Sequence, residues 1–461
     1  MSKIALQLDA RDSVASVLAD VAVGDIVDVR QPDGGSCRIT AADPVPFGHK
    51  IALRHIDAGS TILKYGVPIG RATRAADTGR HIHVHNVAGF VGSGTPAADG
   101  TPDTHTDEGS MAYDVAALRA WVENVSAEFG VGADAAGDLA ESIIDAELSG
   151  VKTHGLRRLA AYMKRIGDGA VDGTATPQLS SNGPLVEVDG KNGIGAHILR
   201  VSTDAAIEIA RSGGVGLALV RNSNHAGAIG WAADRIAAHG MIGVVISNGP
   251  PLIAPPGGAA PFVSNSPIAI SAPLPDGDVF QVDMATSMAS RDKIRSAAEM
   301  GSAIPAGWAL DSAGCPTQDA AAAMSGTLLP IGGPARGFAL ILGLEVLAGL
   351  LPNALTDVLV SSKESGAKPE GVGHFVLAID PAHLSAGHSL PQRLARMEQR
   401  LLDLPRLPAA AGPRLPGRGR QGRKQAARQN GIIVPEATLR ALAGLADRSG
   451  CPLPPEKRSV R

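Results

Sequence analysis

The spacing of hydrophobic residues changes at about residue 110, and this change divides the chain into two regions. Residues 1–91 contain short Val- and Ile-rich runs that alternate with Gly, Asp and Pro turns, a pattern typical of a small β-rich domain. Residues 92–110 are polar and lack periodicity, so they are predicted to form a flexible linker. In the larger region, 111–461, apolar residues first recur at helical spacing in three stretches, at 118–129, 135–148 and 156–166.

Strands and helices alternate in the second half of the chain. A strand at 215–220, a helix at 229–240 and a second strand at 241–247 follow one another, as in a β-α-β unit. Further apolar runs predict two more strands and one buried helix, at 267–273, 373–381 and 338–351 respectively. This alternation indicates an α/β domain.

Composition and charge narrow the possible partners. Hydrophobic residues make up 44% of the chain and charged residues 19%, which suffices for a buried core. The net charge of −3 and an aromatic content of 3% argue against nucleic-acid binding. No run reaches the roughly 20 apolar residues that a bilayer requires, and the N-terminus carries charges where a signal peptide would be apolar. With three isolated cysteines, a cytoplasmic protein without membrane or nucleic-acid partners is expected.

Three glycine-rich sequences approach the dinucleotide-binding G-x-G-x-x-G pattern, but none has its structural context. The sequence that begins at Gly92 runs into Pro96 and the polar linker, so no helix follows it. The sequence at Gly130 lies between two predicted helices, and the one at Gly213 precedes a strand instead of following one. A Rossmann-type dinucleotide site is therefore not expected.

Two groups of polar side chains are candidates for catalysis. His154, Arg158 and Tyr162 are spaced four residues apart and would share one face of a helix, where they could hold a carboxylate and a neighbouring hydroxyl. A polar stripe that faces solvent explains the same spacing. His225 follows strand 215–220, at the edge of the sheet where ligands of α/β proteins bind, and could exchange a proton. A purely structural hydrogen bond is the alternative for this histidine.

Two further clusters of ionisable residues each leave two interpretations open. His81, His83 and His85 alternate along one strand and therefore point to the same face, with His49 upstream. They could bind a metal or an acidic ligand, but a polar sheet face or a subunit contact explains them equally well, and no metal is firmly predicted. Residues 415–431 are basic and could approach a phosphate-bearing ligand, although a solvated cationic segment is the favoured interpretation.

Several motifs follow one another in order between residue 111 and about residue 450. They are Thr153-His-Gly-Leu-Arg-Arg with Tyr162, Asn224-His-Ala-Gly-Ala, Asn265-Ser-Pro-Ile-Ala, Asp283-Met-Ala-Thr-Ser, Ile304-Pro-Ala-Gly-Trp-Ala-Leu-Asp, Leu329-Pro-Ile-Gly-Gly with Arg336-Gly-Phe, and Gly373-His-Phe-Val-Leu-Ala-Ile-Asp. This region resembles the malate/L-lactate/sulfolactate dehydrogenase family, which also contains ureidoglycolate dehydrogenase. The resemblance implies a non-Rossmann α/β fold that binds NAD or NADP, in a homo-oligomer that is usually a dimer or larger.

The resemblance also implies roles for individual residues. His225 would exchange the proton at the C2 oxygen of the substrate, Arg158 would hold its carboxylate, and His154 and Tyr162 would complete the pocket. The cofactor would be bound by Ser247, Asn248, Pro255, Gly257, Gly258, Asp283, Met284, Ala285, Thr286, Ser287, Lys293 and Arg336.

The first region carries a second resemblance, in Gly48-His-Lys-Ile-Ala-Leu, in Lys64-Tyr-Gly-Val-Pro-Ile-Gly-Arg-Ala-Thr and in His83-Val-His-Asn. It is similar to the small SAF-type domain of altronate dehydratase and of the sulfolactate sulfo-lyase small subunit. The expected function is hydride transfer between NAD or NADP and a small 2-hydroxy acid of the sulfolactate, malate or lactate type, with a slight preference for sulfolactate. The alternative is a lyase or dehydratase component that acts through the first domain with a partner subunit, or a first domain that only binds acids or assists assembly.

Overall fold

The computed structural model describes residues 3–7, 9–64, 67–83, 86–88, 110–355, 368–384, 389–405 and 412–457. Contacts between Cα atoms divide the chain into two compact units, Met1–Asp99 and Gly100–Arg461. The predicted linker lies outside the described residues, apart from residue 110. Each unit is therefore described by itself.

The first unit is built from short strands, as its turn-rich sequence predicts. One sheet has the strand order β4-β3-β1-β2-β5-β8 and a smaller sheet the order β6-β7-β9. The buried faces carry mainly Val, Ile and Ala side chains. The strands are β1 (Lys3–Leu6), β2 (Val14–Val17), β3 (Ile26–Arg30), β4 (Ser36–Thr40), β5 (Lys50–Ala52), β6 (Thr61–Lys64), β7 (Val67–Ala72), β8 (His81–Ile82) and β9 (Val87–Ala88).

The second unit begins with a layer of helices around one hydrophobic core. Strand β10 (Met111–Tyr113) pairs with β21 (Ile432–Val434), which ties the two ends of this layer together. The side chain of Asp114 accepts hydrogen bonds from two backbone N–H groups of the following helix and so fixes where it begins. The helices are α1 (Val115–Glu128), α2 (Ala133–Leu148), α3 (Leu159–Gly167), α10 (Arg420–Asn430) and α11 (Glu436–Ser449).

The third predicted helix is wrong in its first part. Residues 152–158 form two short 3-10 turns, Lys152–His154 and Leu156–Arg158, and the α-helix begins only at Leu159. Gly155 separates the turns, because its backbone leaves the helical region and runs close to the side chain of Glu147. Over such short turns, the three-residue spacing of Leu156 and Leu159 fits either kind of helix, so it did not reveal this break.

A seven-stranded mixed sheet forms the centre of the second unit, with the order β11-β12-β13-β20-β14-β15-β16. The predicted strand–helix–strand succession is present, but β20 lies between β13 and β14 and is antiparallel to both. Strands β13 and β14 are therefore parallel, and their carboxyl ends meet at one edge. The elements are β11 (Gln178–Asn182), β12 (Leu185–Asp189), α4 (Gly195–Gly213), β13 (Val215–Ser223), α5 (Gly230–Ala238), β14 (Ile242–Ser247), β15 (Ile268–Pro273), β16 (Val279–Met284) and β20 (Val372–Ile379).

Smaller elements lie beside this sheet. The predicted buried helix at 338–351 is buried on one side only: Leu340 is 50% exposed and Leu350 60%. It begins at Pro334 and passes into a wider turn at Val346–Leu350, so it covers the sheet with a single face. The elements are α6 (Arg291–Glu299), β17 (Ala309–Leu310), β18 (Pro316–Thr317), α7 (Ala320–Met324), β19 (Thr327–Leu328), α8 (Pro334–Glu345) and α9 (Leu390–Leu402).

The basic segment 415–431 is not a solvated cationic segment, contrary to the favoured interpretation. Arg420 and Lys424 on α10 are 8% and 5% exposed. Lys424 forms an ion pair with Asp145 on α2 at 2.5 Å, and Arg420 lies 3.6 Å from Asp234 on α5. These two buried cations therefore dock α10 against α2 and α5. Within the described part of the chain, no helix is both long and apolar enough to cross a membrane.

Gly216 at the start of β13 provides a test of how closely helix α4 packs on the sheet. A β-carbon at Gly216 would contact the carbonyl of Ala206 and lie 2.9 Å from the backbone nitrogen of Ala210. We expect Gly216→Ala to lower the free energy of unfolding by about 1–3 kcal/mol, as overpacking does. Thermal unfolding monitored by circular dichroism measures the change.

The matched control is Gly137 on α2, where a β-carbon would meet nothing within 4 Å. Gly137→Ala should raise the free energy of unfolding by about 0.5–1 kcal/mol, because alanine favours the helix. Melting temperatures that move in the same direction in both variants would contradict this description of the packing.

Candidate active site

His225 lies just beyond the carboxyl end of β13, where the backbone is closely packed. A β-carbon at Gly195, the first residue of α4, would contact the carbonyl of Asn224 and lie 2.6 Å from that of His225. The side-chain amide of Asn224 donates hydrogen bonds to the backbone oxygens of Asn192 at 3.1 Å and Gly193 at 2.9 Å. These contacts hold the loop and thereby fix where the imidazole of His225 stands.

The imidazole of His225 meets two of the three side chains predicted to share its site. Its Nδ1 is 2.7 Å from the hydroxyl of Tyr162. The ring of His154 stacks on it, with ring centroids 5.7 Å apart and planes inclined by 15°. Burial raises the pKa of Tyr162 above its ordinary value, so this phenol stays protonated. The interpretation of these residues as a solvent-facing stripe is therefore wrong.

His154 reaches this place from the turn before α3 and not from the helix itself. The hydroxyl of Thr153 lies 3.0 Å from its Nδ1. Beneath the turn, Oε1 of Glu147 accepts a hydrogen bond of 2.8 Å from the backbone N–H of Leu156. Burial raises the pKa of Glu147 to about 7, although this hydrogen bond and the charge of Lys152 act against it.

Arg158 is bound by a carboxylate that the sequence did not identify as part of the site. Its Nη2 donates to Oδ2 of Asp292 at 2.9 Å and its Nε to the backbone oxygen of Thr153 at 3.1 Å. The other oxygen of Asp292 accepts from Arg295 at 2.6 Å. Asp292 lies 134 residues after Arg158 in the chain, so no local pattern in the sequence connects the two.

Glu370 and Arg165 complete the polar side of the site, and the sequence analysis identified neither of them. The carboxylate of Glu370 accepts a hydrogen bond of 2.7 Å from the backbone N–H of His225, and Nε of Arg165 lies 3.6 Å from it. Oδ1 of Asn224 accepts from the backbone N–H of Glu370 at 3.4 Å. Glu370 comes from a segment 145 residues further along the chain, so only the tertiary fold brings it here.

These side chains line one small cleft between α3, the start of α4 and the end of β13. Three of the four predicted catalytic residues, Arg158, Tyr162 and His225, line this cleft. His154 adjoins the cleft because its ring stacks on that of His225. The lining consists of Leu139, Arg158, Ala161, Tyr162, Arg165, Ile166, Val171, Ile194, Gly195, Asn224, His225 and Glu370.

The segments predicted to bind the cofactor are hydrogen-bonded to one another. The backbone N–H of Leu328 donates to Leu252 at 2.9 Å, that of Met288 to Leu329 at 2.8 Å, and that of Ile331 to the carbonyl of Thr286 at 2.9 Å. They lie beyond β14, which is separated from β13 only by β20. Two strand spacings are about 10 Å, so these segments begin close to His225.

Several of the predicted cofactor ligands use their side chains within the protein. The amide of Asn248 bonds to Glu345 and to two backbone groups, and the hydroxyl of Ser247 donates to a backbone oxygen. The hydroxyls of Thr286 and Ser287 also donate to backbone oxygens. The donor groups of these side chains are therefore used within the protein, where they fix the shapes of the loops.

Asp283 and the remaining predicted ligands differ in exposure. A carboxylate oxygen of Asp283 accepts from the N–H of Gly230 at 3.2 Å, and burial raises its pKa to about 6. Gly257 has a φ of 81°, and the N–H of Gly258 closes a turn onto Pro255. Met284 is 40% exposed. The other three are partly or fully exposed, namely Ala285, Lys293 and Arg336.

The beginning of α8 fits the pyrophosphate of a dinucleotide. Gly332 and Gly333 have φ values of 72° and 87°, and β-carbons there would meet nothing within 4 Å. No side chain caps the helix, so its first N–H groups stay available, and Arg336 is exposed in the first turn. Helix N–H groups and a guanidinium are the donors that phosphate groups prefer.

The histidine cluster of the first unit is present but its rings are stacked. His49 and His83 lie 4.1 Å apart between centroids with planes inclined by 3°, and Nδ1 of His49 is 2.9 Å from Nε2 of His81. His85 lies outside the described residues. Among the residues that the structure describes, no group of three His, Cys, Asp or Glu side chains is arranged to hold a metal ion.

Comparison with known proteins identifies the class to which this fold and site belong. A family model described as malate/L-lactate dehydrogenase matches residues 113–443, so the chain belongs to the malate/L-lactate dehydrogenase family. A second model, described as the altronate/galactarate dehydratase SAF domain, matches residues 3–89. The predicted resemblances, the α/β fold without a Rossmann motif and the oxidoreductase class with NAD or NADP as cofactor are thereby confirmed at the level of the family.

Individual relatives act on several small acids. The (2R)-3-sulfolactate dehydrogenase (NADP(+)) of Chromohalobacter salexigens is 33% identical over 308 residues, 67% of this chain and 90% of that protein. The Δ1-pyrroline-2-carboxylate reductase of Ancylobacter novellus is 35% identical over 322 residues, 69% of this chain and 93% of that protein. The malate dehydrogenase structure from Pyrococcus horikoshii superposes with a TM-score of 0.68 at 28% identity, covering 76% of this chain and 98% of that one.

The buried carboxyl of Glu147 predicts a pH dependence of stability. Its pKa in the folded protein, about 7, exceeds the ordinary value of 4.5. The folded state therefore binds this proton more tightly, and the resulting stability is lost as the pH rises through 7. Relative to Glu147→Gln, which stays neutral, the wild type should lose on the order of 2 kcal/mol between pH 5 and pH 8.

Melting temperatures of the wild type and of Glu147→Gln across this pH range measure the effect. Glu123→Gln is the control, because Glu123 is exposed and pairs with Arg119 on the surface of α1. A constant difference between wild type and Glu147→Gln from pH 5 to pH 8 would contradict the raised pKa.

Proposed function

We propose that this dehydrogenase transfers a hydride between a nicotinamide cofactor and C2 of a small 2-hydroxy acid or the corresponding 2-oxo acid. Sulfolactate, malate and lactate are the candidate substrates. The observation that supports the proposal is the convergence of a histidine, a protonated phenol and a guanidinium in one cleft. A proton donor and a carboxylate ligand are what the reduction of a 2-oxo acid requires from the protein.

His225 is the acid and base in this proposal. In the reduction, its protonated ring gives the Nε2 proton to the C2 oxygen as that oxygen becomes negative. In the oxidation, neutral His225 takes the proton of the C2 hydroxyl on Nε2, while its Nδ1–H group donates a hydrogen bond to the oxygen of Tyr162, as the 2.7 Å contact allows. The nicotinamide ring, when bound, supplies or accepts the hydride. The stacked ring of His154 restricts the rotation of His225.

Arg158 holds the substrate carboxylate in this proposal. A guanidinium matches the planar geometry of a carboxylate, and Asp292 keeps the plane of Arg158 in a fixed orientation. On the cofactor side, the first turn of α8 with Arg336 would bind the pyrophosphate. Lys293 is a second exposed cation near the same segments, directly after Asp292 in the chain.

The reduction of a cyclic imino acid is a second candidate function. It is supported by the pyrroline-2-carboxylate reductase that is 35% identical over most of this chain. The chemistry differs only in that C2 is double-bonded to nitrogen instead of oxygen.

The proposal extends to the setting of the enzyme. We propose a cytoplasmic homo-oligomer with a first domain at 1–91, a linker at 92–110 and the dehydrogenase domain at 111–461. The match of residues 3–89 to a dehydratase SAF domain supports a separate role for the first domain, in binding acids, in assembly or beside a lyase subunit.

Replacement of His225 tests the acid–base assignment. His225→Ala should lower turnover about 10²–10⁴-fold, the usual contribution of a positioned acid–base group. Cofactor affinity should persist, because the cofactor segments lie beyond β14. Steady-state rates at 340 nm and nicotinamide fluorescence titrations measure the two quantities. His154→Ala should raise KM more than it lowers turnover, and the reverse order of effects would exchange the roles of the two histidines.

Variants of two adjacent arginines, Arg158 and Arg157, test which side chain binds the substrate carboxylate. Arg158→Lys keeps the charge but removes the planar fork, so KM for the acid should rise about tenfold or more with little change in cofactor affinity. Arg157→Lys is the control, since Arg157 is 39% exposed and pairs with exposed Glu299 at 3.6 Å. Equal losses in both variants would exclude Arg158 as the specific ligand.

A further inference from the structure

The segment 152–158 carries His154 and Arg158 but has little regular structure of its own. It consists of two 3-10 turns of three residues each. Backbone hydrogen bonds close these turns, from Gly155 to Lys152 at 3.3 Å and from Arg158 to Gly155 at 2.8 Å. Because hydrogen-bond geometry in such short turns is poor, tertiary contacts must fix where the segment lies.

Leu156 anchors this segment, two residues after His154 and two residues before Arg158. Its side chain is fully buried in the core of the helical layer. Its backbone N–H is the first of the second turn and therefore has no acceptor within that turn. Oε1 of Glu147 accepts this hydrogen bond at 2.8 Å. A displacement of Leu156 would move both His154 and Arg158.

The carboxyl group of Glu147 fits closely against the backbone of the segment. A β-carbon at Gly155 would overlap Oε1 of Glu147 and lie 2.6 Å from its Cδ. Glu147 belongs to the last turn of α2, where a negative charge is unfavourable because the carbonyl groups at a helix C-terminus carry partial negative charge. The stability of α2 therefore does not explain a glutamate at this position.

Glu147 serves the segment as a hydrogen-bond acceptor and not as a charge. Burial raises its pKa to about 7, so the acid and the carboxylate are both present near neutral pH. Either form offers an oxygen to the N–H of Leu156. The segment therefore requires an acceptor oxygen at the right distance, whatever its charge.

We infer that Glu147 is a positioning residue for substrate binding, because its hydrogen bond to Leu156 holds His154 and Arg158 where they meet the substrate. This inference rests on the proposed function. Glu147 is not among the described residues that line the cleft, so it acts only through the segment. Loss of its hydrogen bond weakens the binding of the acid and leaves the cofactor segments beyond β14 unchanged.

Two variants of Glu147 in the full-length protein separate reach from charge. Glu147→Gln keeps the length of the side chain and an acceptor oxygen but removes the charge. Glu147→Asp keeps the carboxyl group but shortens its reach by one methylene group. KM for the acid should stay close to the wild-type value in Glu147→Gln and rise about tenfold in Glu147→Asp, since small misplacements of substrate-binding groups are costly.

The measured quantities are KM and kcat at pH 7 for whichever of lactate, malate and sulfolactate the wild type turns over best, and cofactor affinity from nicotinamide fluorescence. KM does not depend on the folded fraction, so a destabilised variant still gives an answer. Glu141→Asp is the matched control on the same helix, because Glu141 is 39% exposed and pairs with Arg200 at 2.9 Å. It should leave KM unchanged.

Amide hydrogen exchange, followed by mass spectrometry on peptides that cover 152–158, reports the hydrogen bond without any turnover. Exchange of the Leu156 amide should accelerate in Glu147→Asp and stay slow in Glu147→Gln. The Glu141→Asp control should exchange at the wild-type rate.

Wild-type KM in Glu147→Asp, or a KM raised equally in both Glu147 variants, would overturn the inference, because reach would then not decide the outcome. Parallel losses of KM, kcat and cofactor affinity in Glu147→Asp would also overturn it, since they indicate a general structural role. Absence of nicotinamide-linked turnover by the wild type with every acid is a different result. It would overturn the proposed function and, with it, the role of Glu147 in substrate binding.

Discussion

The contact of 2.7 Å between Tyr162 and His225 joins the two layers of the second unit, and the rest of the site is arranged around it. Tyr162 belongs to the helical layer and His225 to the edge of the central sheet. The contact requires α4 to begin directly against the loop after β13, which Gly195 allows because it has no side chain. A shift of either layer would therefore separate the imidazole of His225 from the hydroxyl of Tyr162.

Docking of the two layers depends on buried charges as much as on apolar packing. Asp145 on α2 and Asp234 on α5 share the cations Arg420 and Lys424 of α10. Burial raises the pKa of Asp234, while these two cations oppose the increase. Removal of one partner from such a network leaves an uncompensated buried charge, which is strongly destabilising. The basic segment near the C-terminus is thus a structural clamp between helices and sheet.

The same pairing of charges shapes the chemistry of the cleft. In the active site, carboxylates from α6 and from the segment before β20 hold the two arginines of the helical layer. They orient the guanidinium groups and offset part of their charge, since Asp292 is shared with Arg295. His374 on β20 is a buried ionisable residue that has no charged partner of this kind among the described residues, and its Nε2 lies 2.8 Å from the hydroxyl of Ser223. Burial lowers the pKa of His374 to about 3, so this imidazole stays neutral.

The sequence by itself predicted most of the strands and helices, the division into two regions and the family, and it singled out His225 as a candidate residue, because local periodicity and short motifs record these features. Only the tertiary structure decided that His154 stands on a 3-10 turn, that Arg158 is held by Asp292 and that Glu370 lies beneath His225. The tertiary structure also showed that Arg420 and Lys424 of the basic segment are buried in ion pairs and do not lie on the surface. The physical reason is that charge compensation depends on side chains that are distant in the chain. Arg158 and Asp292 are 134 residues apart and His225 and Glu370 are 145 apart, so no local pattern records either contact.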